Sequence, residues 1–189
     1  MPGKQARTLS CIQVLRLLNY AAVSRHPERN QAMVLLSIKA GLRAGEIARL
    51  SWDMVLDADG AIASVLELRD GAAKKGSGRR IPIHPDLRAA LDRLRARRHG
   101  PIIASERGRA MNPVSIVNWF AKTYRALGLH GCSSHSGRRT FITRAARLVH
   151  AAGGSLRDVQ LLAGHRSIET TQRYIDGDSD SRRRLIEMV

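Results

Sequence analysis

The spacing of apolar residues changes period in the middle of this chain and then changes back, and this constrains the fold more than any other feature. Over residues 10–22, Ile12, Val14, Leu15, Leu17 and Leu18 fall at helical spacing behind Ser10, which is placed to cap them. After His26-Pro27 a second apolar helix is predicted over 28–40, through Met33, Val34, Leu35 and Ile38. Gly41 ends it, and a short third helix is predicted over about 44–50. Residues 61–68 and 79–83 are instead short apolar-rich runs, separated by Asp70-Gly71 and Gly76-Ser77-Gly78, which predicts two strands joined as a hairpin. His84-Pro85 then opens a helix to about residue 98, with Leu87, Leu91 and Leu94 on one face and arginines on the other, and Ile102-Ile103 predict a further short strand.

From Asn112-Pro113 the pattern is helical again, with Asn112 as N-cap and Pro113 at the first helical position. Glycine-containing breaks at 128–131 and 153–154 divide the last helices, and Ser155 to Asp158 has the form of a capping box. No repeat or low-complexity linker interrupts the pattern. The expectation is one mainly α domain with a small antiparallel β-sheet inserted near its middle. A length of 189 residues suits one such domain with a real core and is short for two.

Charge narrows the function. Lys and Arg number 32 against 16 Asp and Glu, a net charge of +16, which strains a compact fold by self-repulsion unless an anionic partner accepts it. Nucleic acid fits, since each neutralised phosphate releases condensed counterions. A membrane surface fits less well: it calls for a helix with a bulky apolar face, aromatics are only 4% of the chain, and the basic residues run along most of its length. The same scarcity of aromatic stacking platforms favours double-stranded DNA over a single strand. No run spans a bilayer, and no signal-peptide pattern opens the chain. Cys11 and Cys132 have neither zinc spacing nor a disulfide framework and read as reduced thiols. The histidines lack clustered ligand spacing, so no metal or other cofactor is expected.

Five segments carry chemistry: Gly41-Leu42-Arg43 with Glu46, Lys74-Lys75, His135-Ser136-Gly137-Arg138, Gly164-His165, and Tyr174. Together they supply cations able to hold a phosphodiester and a hydroxyl able to attack it. Guanidinium forks stay charged and bind two oxygens at once, which suits Arg43 and Arg138 to the non-bridging oxygens. Each residue alone has a plainer reading: Arg43 a solvated helix end, Tyr174 a packing residue, Lys74 and Lys75 hairpin-tip charges, His135 a helix cap. His26, His84, His99, His130 and His150 read as structural or surface residues. Arg79-Arg80, residues 95–98 and Arg182 to Arg184 read as solvated basic faces that meet phosphates without reading sequence.

In order and spacing these segments resemble the catalytic domain of the tyrosine recombinases, the phage-integrase family. Gly41-Leu42-Arg43 with Glu46, continued by Leu50-Ser51-Trp52-Asp53, resembles the family's first box, and the run from Lys74 to Pro82 its hairpin. His135 to Phe141 is similar to its His-x-x-Arg helix start. Leu162 to His165, with Thr170-Thr171 and Tyr174 following, is similar to its final box, the tyrosine nine residues after the histidine.

The resemblance implies the DNA breaking-rejoining fold and a site-specific recombinase or integrase. In it Tyr174 is the nucleophile of a 3′-phosphotyrosine intermediate, Arg43 and Arg138 hold the phosphate, and Lys74 (or its neighbour Lys75) protonates the leaving 5′-oxygen. His135 takes part in proton transfer, His165 donates to a phosphate oxygen, and Glu46 orients Arg43. It also implies duplex DNA as partner, a homo-oligomer, usually a tetramer, on paired sites, and a bacterial or phage-encoded protein acting in the cytoplasm at the nucleoid. The expected extent is one catalytic domain over 1–189 without the family's N-terminal clamp domain. The apolar tail at 185–189 is expected to dock on a neighbouring protomer. A type IB topoisomerase and a catalytically silent DNA-binding regulator of the same fold are the competing readings.

Overall fold

The computed structural model describes residues 6–73, 76–94, 99–174 and 186–187. Helix α1 (Cys11–Ala22) opens on a reciprocal cap: the Ser10 hydroxyl accepts from the Gln13 backbone N–H at 3.2 Å, and the Gln13 side chain accepts from Ser10 N–H at 2.9 Å. This satisfies two of the donors that every helix start leaves unpaired. Helix α2 (Pro27–Lys39) has Pro27 in its first turn and buries every residue from Ala32 to Ile38. A helix that is apolar around most of its circumference belongs inside, and α2 is the central post, packed most extensively against three other helices.

Those neighbours are α1, α4 (Pro85–Arg93) and α6 (Ser136–Leu148). Between α2 and α4 lie α3 (Ala44–Arg49), a 3-10 turn at Trp52–Met54, and the hairpin of β1 (Val65–Leu68) and β2 (Arg79–Pro82). The strands run antiparallel with Leu66 opposite Ile81 and Leu68 opposite Arg79. Helix α5 (Pro113–Ala126), capped by the Asn112 side chain accepting from Val114 N–H at 2.8 Å, packs on α3. The chain continues through α6 to α7 (Leu156–Ala163) and the short α8 (Ile168–Gln172). The main core gathers around α2, with Leu17, Met33, Leu36, Ile47, Trp52 and Phe120 closed to solvent. A smaller cluster, Ile142, Ala146, Val149, Val159 and Ala163, joins α6 to α7.

The mainly helical fold with one antiparallel hairpin is therefore as expected. Three details differ. The strand expected over 61–68 begins only at Val65, because Asp57 to Ala61 form a turn closed by an Asp57 side-chain cap, with a single bridge between Leu56 and Ile62. Ile102 and Ile103 are buried but form no strand; isolated bridges at Pro101 and Ala104 hold that segment. Helix α4 ends at Arg93, where 98 was expected, and residues 95–98 lie outside the described set.

Candidate active site

Arg43 caps α3 in extended conformation, and Glu46, three residues on, receives both its backbone N–H (3.0 Å) and its Nη1 (2.6 Å). The carboxylate is fully enclosed and also accepts from Arg79 Nη2 at 3.0 Å and Nη1 at 3.3 Å. Burial alone would push the Glu46 carboxyl up; the hydrogen bond and charge of Arg79, with those of Arg43, outweigh it and hold the group at about 2. Arg79 additionally donates from Nε to the Leu162 carbonyl at 2.9 Å, tying β2 to the end of α7. This corrects the reading of Arg79 as a solvated basic residue: its side chain is 4% exposed and is internal structure. Arg80 is the solvated member of the pair, 74% exposed beside Glu67.

Arg138 stands on the first turn of α6, buried, and its guanidinium donates to the Gly41 carbonyl (2.7 Å) and the Ala163 carbonyl (2.6 Å). Among the described residues no carboxylate lies within ion-pair distance of it. Burial first, then the charges of Arg43 and Arg79, push it down to about 9, so it remains a cation at neutral pH. Two glycines make this possible. Gly41 (φ +64°) ends α2 with its α-carbon against the Phe141 ring, where a β-carbon would fall 2.4 Å from Cδ1. Gly164 (φ +63°) ends α7 in the left-handed form and turns the chain so that His165 follows at the site.

His165 is fixed at its backbone by an N–H bond to the Gln160 carbonyl (3.1 Å) and by the Gln160 side chain donating back to its own carbonyl (3.0 Å). Its Nδ1 lies 2.9 Å from Thr171 Oγ1. Burial, followed by the charges of Arg138, Arg43 and Arg79, lowers it to about 4, so the imidazole is neutral at pH 7. The Tyr174 ring stacks on it, centroids 5.6 Å apart and 23° from parallel, and the Arg139 guanidinium lies 5.5 Å from the Tyr174 centroid. His135 precedes α6, exposed, with its N–H on Ser133 Oγ at 3.3 Å.

These side chains share one cavity of about 440 Å³, lined by Arg43, His135, Arg138, Arg139, His165, Arg173 and Tyr174, with Ala6, Ser133 and Thr170 at its edge. Segments as far apart in sequence as Ala6 and Tyr174 thus meet around one opening. Of the residues singled out in the sequence, Arg43, His135, Arg138, His165 and Tyr174 line it, and Glu46 sits behind Arg43. Lys74 and Lys75 lie outside the described residues, as do Arg182 to Arg184 and, apart from Ile186 and Glu187, the apolar tail. Sequence reasoning gave no site role to Arg79, Arg139, Thr171 or Arg173. Arg79 had a signal: it alternates with Ile81 on β2, so the two share the inward face.

Electrostatically, Arg43 and Arg79 share the single carboxylate of Glu46, while Arg138 has backbone carbonyls as its partners, leaving a surplus of fixed positive charge beside a neutral imidazole and the Tyr174 ring. Such a cavity suits a phosphate ester, whose non-bridging oxygens gain charge as a nucleophile attacks. Among the described residues no group of three or more His, Cys, Asp or Glu is arranged to hold a metal ion, and no helix is long and apolar enough to cross a membrane.

A sequence model of the Phage integrase family matches residues 7–180. The tyrosine recombinase XerC of Rhizobium meliloti (strain 1021) is 31% identical over 170 residues, covering 85% of this chain and 48% of its own length. The chain spans about half the length of the curated relatives it matches. Among solved structures, a Tn1549 transposon integrase in complex with a circular intermediate DNA superposes with a TM-score of 0.75 at 20% identity, over all of this chain and 67% of that one. XerA recombinase superposes with a TM-score of 0.73 at 24% identity, covering all of this chain and 65% of its own. These two likenesses establish the fold.

Proposed function

The chain belongs to the phage integrase family, and we propose that it is a tyrosine-type site-specific DNA recombinase whose nucleophile is Tyr174. The observation that carries this reading is the convergence of Arg43, His135, Arg138, His165 and Tyr174 on one cation-rich cavity. In the proposed reaction the Tyr174 oxygen attacks the scissile phosphorus and gives up its proton towards His135. The bond to the 5′-oxygen breaks, and that oxygen leaves with a proton from Lys74. Arg43 and Arg138 neutralise the non-bridging oxygens, and neutral His165 donates a hydrogen bond to one of them. Glu46 holds Arg43 in register from behind. The resulting 3′-phosphotyrosine conserves the energy of the broken ester, so attack by a new 5′-hydroxyl reverses the step without ATP.

Double-stranded DNA is the partner we propose, supported by the +16 charge and by the DNA-bound transposon integrase that shares the fold. Strand exchange joins two duplexes, so a homo-oligomer, four protomers in the simplest case, assembles on paired sites; a place at the bacterial nucleoid follows from the same substrate. The intact set of phosphate-binding and nucleophilic residues favours an enzyme over a silent DNA-binding regulator.

The test is a covalent trap: the chain is incubated with nicked duplexes drawn from DNA flanking its gene, without added metal, and resolved on denaturing gels. A detergent-resistant adduct that disappears in Tyr174→Phe, with duplex affinity unchanged, is the expected result. Tight salt-sensitive binding with no adduct in either protein would replace this reading with a non-catalytic one.

A further inference from the structure

We infer that Thr171 is a positioning residue that fixes His165 as the Nε2–H tautomer. Thr171 is completely buried, and its hydroxyl has one hydrogen-bond partner among the described residues, His165 Nδ1 at 2.9 Å. A threonine in a helix commonly turns its hydroxyl back to the carbonyl four residues earlier; this one crosses from α8 to the imidazole instead. Two arrangements are open to the pair. If Nδ1 carried the proton it would donate to Oγ1, and the hydroxyl proton would be buried with no acceptor, which is costly. If the hydroxyl donates to an unprotonated Nδ1, both groups are satisfied. The second arrangement puts the ring proton on Nε2, since in a neutral imidazole the hydrogen bond at one nitrogen decides the state of the other.

The consequence rests on the recombinase reading above. Nε2 has no protein partner among the described residues, and His165 lines the cavity with Arg43, Arg138 and Tyr174. As N–H it donates to a non-bridging phosphate oxygen; as a lone pair it would repel one. Thr171 serves the neighbouring residue too, because its carbonyl accepts the Tyr174 N–H at 3.0 Å. One buried threonine thus sets the proton on His165 and anchors the backbone that carries the nucleophile.

Nitrogen-15 NMR of the full chain tests this directly. Long-range proton–nitrogen spectra at neutral pH report which ring nitrogen of each histidine is protonated, and His165→Gln identifies the His165 signals by their loss. Wild type and Thr171→Ser should show the Nε2–H pattern, and Thr171→Val should lose that single tautomer while the other six histidines keep their signals. In the covalent trap, Thr171→Val should slow adduct formation roughly tenfold to a hundredfold, the scale seen for partners that orient a histidine ligand, and Thr171→Ser should restore most of it. An Nδ1–H pattern in wild type overturns the inference, and so does an unchanged pure Nε2–H pattern in Thr171→Val. The wild-type spectrum decides the tautomer even where the valine variant does not fold. Absence of an adduct in wild type, with the Nε2–H pattern intact, would remove the recombinase reading and leave the Thr171–His165 assignment standing.

Discussion

Glu46 and Arg79 meet at 3.0 Å with side chains 0% and 4% exposed, and this contact joins the hairpin to Arg43, which bonds the same carboxylate. The carboxylate that aligns Arg43 is the one that holds Arg79, and Arg79 in turn grips the Leu162 carbonyl two residues before Gly164. Three segments of the candidate site therefore depend on one enclosed ion pair.

Breaking such a pair leaves a buried charge uncompensated. Arg79→Leu should cost roughly 3–5 kcal/mol of unfolding free energy, whereas Arg80→Leu, one residue on but solvated beside an exposed Glu67, should cost no more than about 1 kcal/mol. Urea unfolding of the two variants measures the contrast. Equal costs would place Arg79 at the surface.

The Arg79–Arg80 doublet shows where sequence reasoning stopped. Caps were legible because they are local: Ser10, Asn112 and Ser155 lie within three residues of what they bond. The final box was legible because Gly164, His165 and Tyr174 sit at fixed short spacing. The partners of Arg138 were not, since the Gly41 carbonyl lies 97 residues away and a backbone acceptor leaves no mark on residue type. Thr171 was visible as a letter of the box, but its bond to His165 depends on how α8 folds back over α7.

Acid should uncouple the same ion pair. The Glu46 carboxyl lies at about 2 in the folded chain against an ordinary 4.5, so between these values the unfolded chain binds the extra proton. The stabilisation is complete above pH 4.5 and is lost as pH falls towards 2, amounting to roughly 3 kcal/mol. The gap in unfolding free energy between wild type and Glu46→Gln should narrow over that window and stay constant from pH 5 to 7. His165, lowered to about 4 from 6.5, loses its own contribution from pH 6.5 downward, but equally in both proteins, so the difference isolates Glu46. A gap that does not change with pH would contradict the assignment.

Gly41 should tolerate no side chain. Its positive φ costs an L-residue about 1–2 kcal/mol, and overpacking against Phe141 adds about 1–3 kcal/mol, with the β-carbon 2.4 Å from the ring. In a double-mutant cycle, Phe141→Leu should relieve the second part of the Gly41→Ala penalty and leave the first. Strict additivity would show that the ring moves aside freely and that Gly41 matters only for its backbone.

Arg138 supplies the sharpest test of what the cavity awaits. Its charge is held among Arg43 and Arg79 by backbone carbonyls, and burial with those two charges pushes it down to about 9. A site in that condition gains free energy from any anion that reaches it, and a ligand that binds only the folded chain raises stability by mass action, about 2.7 kcal/mol at a hundredfold excess over its Kd. Inorganic phosphate should therefore raise the Tm of the wild-type chain above its value in chloride at matched ionic strength, so that general screening cancels. Arg138→Met, whatever its own Tm, should lose most of that phosphate-specific increment, while Arg80→Leu should keep it. An increment that survives in Arg138→Met would move the anion to the outer basic surface and separate Arg138 from phosphate recognition.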